Sequence, residues 1–255
     1  MTGPAPKHRF FVPPDALSGA SPTRVYLPGD ISYQVRTVLR LRPGARLLLL
    51  DGAGFEYPAE LLDLQGEQAA VRILDRRPAA GEPHLYLTLY VALLKGQHLE
   101  WVLQKGTELG VSAFVPMSTR RTVVRDTGHA HQKRARWERI LREAAEQCHR
   151  GRVPTLSDPL SFDDACRAAA ASHERAFLPY VQERGPSLAD AAGGDPPTRA
   201  ALLIGPEGGF EEGEVQHARD CGIQAVSLGP RTLRAETAAL AAATILMDRW
   251  GELSR

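Results

Sequence analysis

Between residues 85 and 250 the chain exchanges short apolar runs with amphipathic segments in regular alternation, and this pattern limits the fold more than any other feature. Residues 85–94, 111–116, 175–180, 200–204 and 223–228 are β-like runs, while 97–109, 133–148, 162–171, 211–220 and 236–250 have helical periodicity. Parallel strands need a crossover between them, so strand, helix and strand in that order make a right-handed βαβ unit. The alternation predicts an α/β fold with a largely parallel sheet covered on both faces. The stretch 183–198, ERGPSLADAAGGDPPT, is expected to be a mobile loop.

The first 75 or so residues read as β-rich instead. An apolar run at 47–50 closes on Asp51-Gly52, with 55–64 as its hairpin partner and 68–74 as a further strand. A short helix is expected between Pro28 and Arg42, with Val35, Val38 and Leu39 inward and Arg36 and Arg40 outward. The Pro/Gly stretch 77–83 has no periodicity and is taken as a linker, which gives one domain over 1–77 and a second over 78–255. A chain of 255 residues can bury a core without staples. Cys148, Cys166 and Cys221 are odd in number and far apart, unlike a disulfide framework or a CxxC zinc site, and the histidines show no ligand spacing, so no metal is expected. The longest apolar run, 238–247, stops at Asp248 and is too short for a membrane span, while Pro4, Pro6, Pro13 and Pro14 break any leader. A soluble, cytoplasmic protein is the expectation.

Formal net charge is only +1, but its distribution is uneven. Residues 1–50 carry seven Lys and Arg against Asp15 and Asp30, and residues 119–152 carry ten against four carboxylates. Two basic segments on a neutral chain predict a focused surface for a polyanion. Candidate RNA contacts are Arg9, Arg36 and Arg40 in the first segment, and Arg120, Arg121, Arg125, Arg150 and Arg152 in the second.

The chemistry concentrates near the end. Leu202–Phe210, LLIGPEGGF, delivers a glycine-rich turn from a buried strand to a helix start, which is where open α/β sheets bind ligands. A phosphate loop is a poor reading, because no Lys-Ser/Thr follows and Glu211, Glu212 and Glu214 would repel an anion. The sequence suits a backbone-lined pocket for a neutral or cationic ligand. A second segment, VSLGPRTLRAETA from Val226, again ends a strand on a glycine and places Arg231 and Arg234 before a helix.

LLIGPEGGF followed by LGPRTLRAETAAL resembles the ribosomal small-subunit RNA uridine-N3 methyltransferases, a family of the SPOUT superfamily of knotted methyltransferases. The resemblance extends to Arg9-Phe10-Phe11-Val12, Val38-Leu39-Arg40, Leu94-Lys95-Gly96, QKGTELGV from Gln104, EAAEQC from Glu143 and Arg152-Val153-Pro154. The chain departs from the family pattern at Ser32-Tyr33, at His149, at Glu211 and across Arg120-Arg121-Thr122. The resemblance implies an N-terminal PUA-like β-barrel for RNA, a trefoil-knotted C-terminal sheet, a homodimer, and S-adenosyl-L-methionine as methyl donor to RNA of the small ribosomal subunit. Carried over by motif, Leu178, Pro179, Ile204, Gly205, Pro206, Glu207, Gly208, Gly209, Leu228, Gly229, Leu233, Thr237 and Ala238 would line the cofactor. Arg234, then Arg231, would stabilise the anionic uracil formed when N3 loses its proton, and Glu207 and Glu236 are candidate proton acceptors. Two other readings stay open: a SPOUT enzyme that methylates a ribose 2′-hydroxyl, and a non-catalytic RNA-binding assembly factor. Dimerisation is expected through the alanine-rich last helix, Ala238, Ala239, Ala241, Ala242 and Ala243.

Overall fold

The computed structural model describes residues 8–17, 24–64, 66, 68–123 and 127–254. The chain forms two compact units, Met1–Glu82 with Ala145–Val153, and Pro83–Ala144 with Pro154–Arg255. The first unit therefore runs past the expected boundary at residue 77 and takes in a segment that a linear reading gives to the second.

In the first unit, β1 (Arg9–Phe11), α1 (Pro14–Leu17), β2 (Arg24–Tyr26), α2 (Gly29–Tyr33) and a π-helical turn (Gln34–Val38) precede β3 (Arg46–Leu50), β4 (Phe55–Asp63), β5 (Ala70–Ile73) and β6 (Arg77–Pro78). Their sheet has the order β1-β3-β4-β5-β2, with β6 on β4; only β1 and β3 run parallel. The residues expected to be linker at 77–78 are thus paired sheet. Leu47 and Leu49 face one cluster with Val35, Leu61 and Val71, while Leu48 and Leu50 face the other side with Phe11 and Ala145, as the two-residue period of a strand requires. Glu146 accepts a hydrogen bond from the Phe11 amide at 2.9 Å, which fixes the returning segment to β1.

Three arginines expected on the RNA surface are built into this unit instead. Arg150 is 4% exposed and pairs with Glu82 at 3.1 Å; Glu82 also accepts from the Gly151 and Arg152 amides. Arg9 pairs with Glu56 at 2.9 Å and is 12% exposed. Arg36 is half-buried and donates to the Leu64 and Gly66 carbonyls. These contacts tie the three side chains to their own unit, although the buried Nε of Arg9 and of Arg36 has no partner among the described residues.

The second unit holds β7 (Tyr86–Ala92), α3 (His98–Glu108), β8 (Ala113–Ser118), α4 (Thr127–Gln147, whose last residues belong to the first unit), β9 (Thr155–Leu156), β10 (Leu160–Ser161) and α5 (Phe162–Ser172). It continues through β11 (Arg175–Pro179), α6 (Leu188–Ala191), β12 (Arg199–Ile204), α7 (Glu212–Asp220), β13 (Gln224–Val226) and α8 (Ala235–Arg249). All seven strands pair in parallel, in the order β10-β8-β7-β12-β11-β13 with β9 on β8. The central strands are apolar on both faces: Leu202 and Leu203 are each fully buried. Among the described residues no helix is long and apolar enough to cross a membrane.

The stretch 183–198 is loop, as expected, apart from the one-turn helix α6 in its middle, which packs on the core. Ser187 caps α6, Leu188 is fully buried, and the Trp250 indole donates to the Ala192 carbonyl at 3.0 Å. The glycines and prolines there terminate a one-turn helix rather than free the chain.

A histidine set into the sheet makes the unit sensitive to acid. His173 stacks its ring edge-on to Tyr90, with its two ring nitrogens 3.1 Å from the Ala169 carbonyl and 2.8 Å from the Thr88 hydroxyl. Burial, reinforced by Arg199, holds its pKa below the ordinary value. Folding therefore favours the neutral ring, so this contribution is present above the unfolded-state pKa and is lost as pH falls through the folded one. The urea midpoint is expected to drop as pH is lowered from about 7 to 5, and less steeply in His173→Gln.

Candidate active site

Because β12, β11 and β13 are parallel neighbours, their carboxyl ends lie side by side and their outgoing loops meet. From β12 the chain turns through 205–210, closed by the Gly209 amide donating to the Pro206 carbonyl at 2.8 Å. Gly209 has φ of +68°, a conformation that a β-branched residue adopts only with strain. Gly205 sits under the Phe210 ring, where a Cβ would lie 3.1 Å from ring carbons. From β11 come Pro179, Tyr180, Val181 and Gln182, and from β13 comes Ser227, whose hydroxyl accepts from the Gly229 amide at 3.1 Å. The first turn of α8 closes the arrangement.

These loops enclose a cleft of about 280 Å³ lined by Ile204, Gly205, Pro206, Glu207, Gly208, Gly209, Pro179, Leu233 and Ala238 of the expected set. An adjoining recess of about 50 Å³ shares Pro179, Leu233 and Ala238 and adds Leu228, Gly229 and Arg231. Two expected lining residues are elsewhere. Leu178 is fully buried in the core, one step out of phase with Pro179 on the strand. Thr237 faces a separate groove of about 760 Å³ between α3 and α8, with Gln97, His98, Trp101, Arg234, Glu236, Leu240, Ala241 and Thr244. Arg231 therefore lines the recess beside the cleft, whereas Arg234 lines the separate groove.

Tyr180, Val181 and Gln182 line the cleft without any sequence signal of their own, and Phe210, Thr232 and Ala235 join it from within the two motifs. Arg121 is a further surprise. Its guanidinium donates to the Gly208 carbonyl at 3.0 Å and lies 3.6 Å from Glu211, which makes it a wall of the cleft. Arg120 remains 72% exposed, with its guanidinium 3.4 Å from Glu211. The 119–122 loop is held by Glu214, a buried carboxylate that accepts from the Arg120 and Glu211 amides at 2.9 and 2.8 Å. Arg40 and Arg152 are exposed, and Arg125 lies outside the described residues.

Neither candidate proton acceptor is free. Glu207 accepts from the Lys95 amide at 2.9 Å and so braces the 94–96 loop, and Glu236 stands 3.2 Å from His98. Glu207→Gln keeps an acceptor oxygen and is expected to leave kcat within about twofold, whereas Glu207→Ala is expected to raise the KM for the small-molecule substrate by roughly fivefold. Steady-state kinetics of the two variants tests this; an equal loss of kcat in both would restore Glu207 as a base.

The sequence pattern of RNA methyltransferase domains matches residues 81–247, and that of the PUA domain of RNA methyltransferases matches residues 35–74. The chain belongs to the RNA methyltransferase family. This RNA methyltransferase is 35% identical over 232 residues to the ribosomal RNA small subunit methyltransferase E of Synechocystis, covering 91% of this chain and 74% of that one. With the Bacillus subtilis protein of the same name it shares 33% identity over 220 residues, 84% and 86% of the two chains. Its fold matches the Neisseria gonorrhoeae ribosomal RNA small subunit methyltransferase E, solved bound to S-adenosyl methionine, with a TM-score of 0.85 at 33% identity over 95% and 98% of the two chains. A putative methyltransferase from Legionella pneumophila, solved with the same cofactor, gives 0.83 at 32% identity over 94% and 96%.

Proposed function

We propose that the chain transfers a methyl group from S-adenosyl-L-methionine to N3 of a uridine in small-subunit ribosomal RNA, in the cytoplasm. The observation that carries this reading is the cleft at the ends of β11, β12 and β13, in a chain similar over nearly its whole length to a ribosomal RNA small subunit methyltransferase E solved bound to S-adenosyl methionine. The residues fit such a group. Glycine backbone at 208 and 209 leaves room beside the turn, and apolar Ile204, Phe210, Leu233 and Ala238 suit an adenosyl moiety. The cofactor supplies an electrophilic methyl group on a sulfonium.

The chain's own task is to present a nucleophile and hold its charge. Uridine N3 is protonated at neutral pH, so the anionic uracil must be stabilised as the proton leaves. Arg234 and Arg231, which precede the positive end of α8 in the chain, are the assigned groups. Glu207 acts as a brace through the Lys95 amide and Glu236 lies against the His98 ring, so the reading gives neither the role of base. Arg40, Arg120 and Arg152 are left as phosphate contacts. The direct test is labelled methyl transfer to purified ribosomal subunits: incorporation into the small subunit and not the large one is expected, and the reverse overturns the reading.

The proposal includes a homodimer formed on the groove between α3 and α8. Trp101 on its rim is 61% exposed, while Ala239, Ala242 and Ala243 are consumed by the chain's own core, which leaves Ala241 and Leu240 for a partner. A two-fold contact would place both copies of Trp101 in one interface. Light scattering is expected to give twice the 27.8 kDa chain mass, falling to the single-chain mass in Trp101→Asp.

A further inference from the structure

On the outer face of α2 and its π turn, only Arg40 at the end of the turn has been given a role so far. Ile31 and Val35 are buried and Leu39 packs beside them, a spacing of four that the wider π turn produces; its closing bond runs from the Leu39 amide to the Gln34 carbonyl at 2.9 Å. The opposite face carries Tyr33 and Val38, each 62% exposed, with exposed Gln34 and Thr37 between them. From the start of α2, residues 29–50 contain Arg36, Arg40, Arg42 and Arg46 against one carboxylate, Asp30, which is exposed in the first turn of α2. Arg36 is bound to carbonyls, but Arg40, Arg42 and Arg46 are exposed and make no ion pair among the described residues. Arg40 ends the turn at φ of +51°, a left-handed conformation unusual for a long side chain and one that such structures tend to keep where it serves a site.

We propose that this face is a stacking platform for an unpaired stretch of RNA, with a base against Tyr33 and Val38 and the backbone phosphates drawn to Arg40 and Arg42. An exposed aromatic ring and exposed arginines on one short segment are the combination that binds single strands, because every base has a face to stack and every nucleotide a charge. Four arginines against the single carboxylate Asp30 over residues 29–50 favour a polyanion over a protein surface of balanced charge. Stacking needs splayed bases, so the platform selects unpaired RNA over a duplex. This inference rests on RNA being the substrate and adds which form of RNA the first unit takes.

The test uses the full-length protein without cofactor, a labelled oligouridylate, and a fully paired RNA of the same length, titrated at several salt concentrations. Tyr33→Ala is expected to weaken oligouridylate binding roughly tenfold with an unchanged salt slope, while Tyr33→Phe binds like wild type. Arg42→Ala is expected to reduce the slope of log K against log salt by about 0.7. Duplex binding should be unaffected by Tyr33→Ala, and because the ring is exposed the melting temperature should not move. Wild-type protein that fails to bind oligouridylate, or a Tyr33→Ala variant that binds it normally or loses both probes equally, overturns the platform. Methyl transfer is measured separately, so an enzyme inactive on small subunits with these binding results intact would contradict the proposed reaction and not the platform.

Discussion

Arg234→Ala is expected to lower the rate of methyl transfer at saturating RNA by on the order of a hundredfold, with RNA affinity and its salt slope nearly unchanged. Arg234 precedes α8 as its N-cap residue and makes no side-chain capping bond, so truncation leaves the helix start in place. Its partner in the proposed reaction is charge that develops on the uracil only as the bond forms, which is why the loss falls on the rate. A phosphate contact behaves in the opposite way: Arg120→Ala should weaken binding and flatten the salt slope by about 0.7 to 0.9 while the saturated rate stays normal. Single-turnover rates beside filter binding separate the two. If Arg234→Ala showed the Arg120 pattern, the catalytic assignment would be wrong.

Gly208→Val is expected to reduce affinity for S-adenosylhomocysteine at least a hundredfold, equivalent to about 2.7 kcal/mol, in a protein that still folds. A Cβ at this position would lie 3.3 Å from the Arg121 Cβ, so a branched side chain must either displace Arg121 from the Gly208 carbonyl or project into the cleft. Either outcome disrupts the wall. The left-handed backbone that excludes branched residues belongs to the next position, Gly209, so the steric argument at 208 is one of space and not of φ. Calorimetric titration of a variant with a normal melting curve decides it, and wild-type affinity would remove the cleft from the account.

The alternation of strand and helix in the second unit was readable because hydrophobic period and length both changed at each junction: β12 and α7 begin within a residue or so of their expected positions. The glycine turn was equally legible, since a strand ending on Gly205 admits few alternatives. What escaped the sequence lies in contacts between distant residues. Val38 was expected inward on a 3.6-residue period, but the π turn shifts the register and leaves it 62% exposed. Arg150 looks like one more member of a basic run, and only the fold brings it to Glu82. Glu207 reads as a base beside glycines until the Lys95 amide is found on its carboxylate. Tyr180 and Gln182 enter the cleft because β11 ends beside β12, an adjacency set by strand order and by no local pattern. Burial of Cys166, which its place in the sequence does not reveal, pushes its thiol up to about 12.

The central claim is the position of the methyl group. Small ribosomal subunits lacking the modification, incubated with the purified protein and labelled S-adenosylmethionine, should yield after nuclease digestion one labelled nucleoside whose mass-spectrometric fragments place the methyl on the uracil base at N3. A methyl retained on the ribose fragment, or no labelled nucleoside from a protein that binds the cofactor, would contradict it.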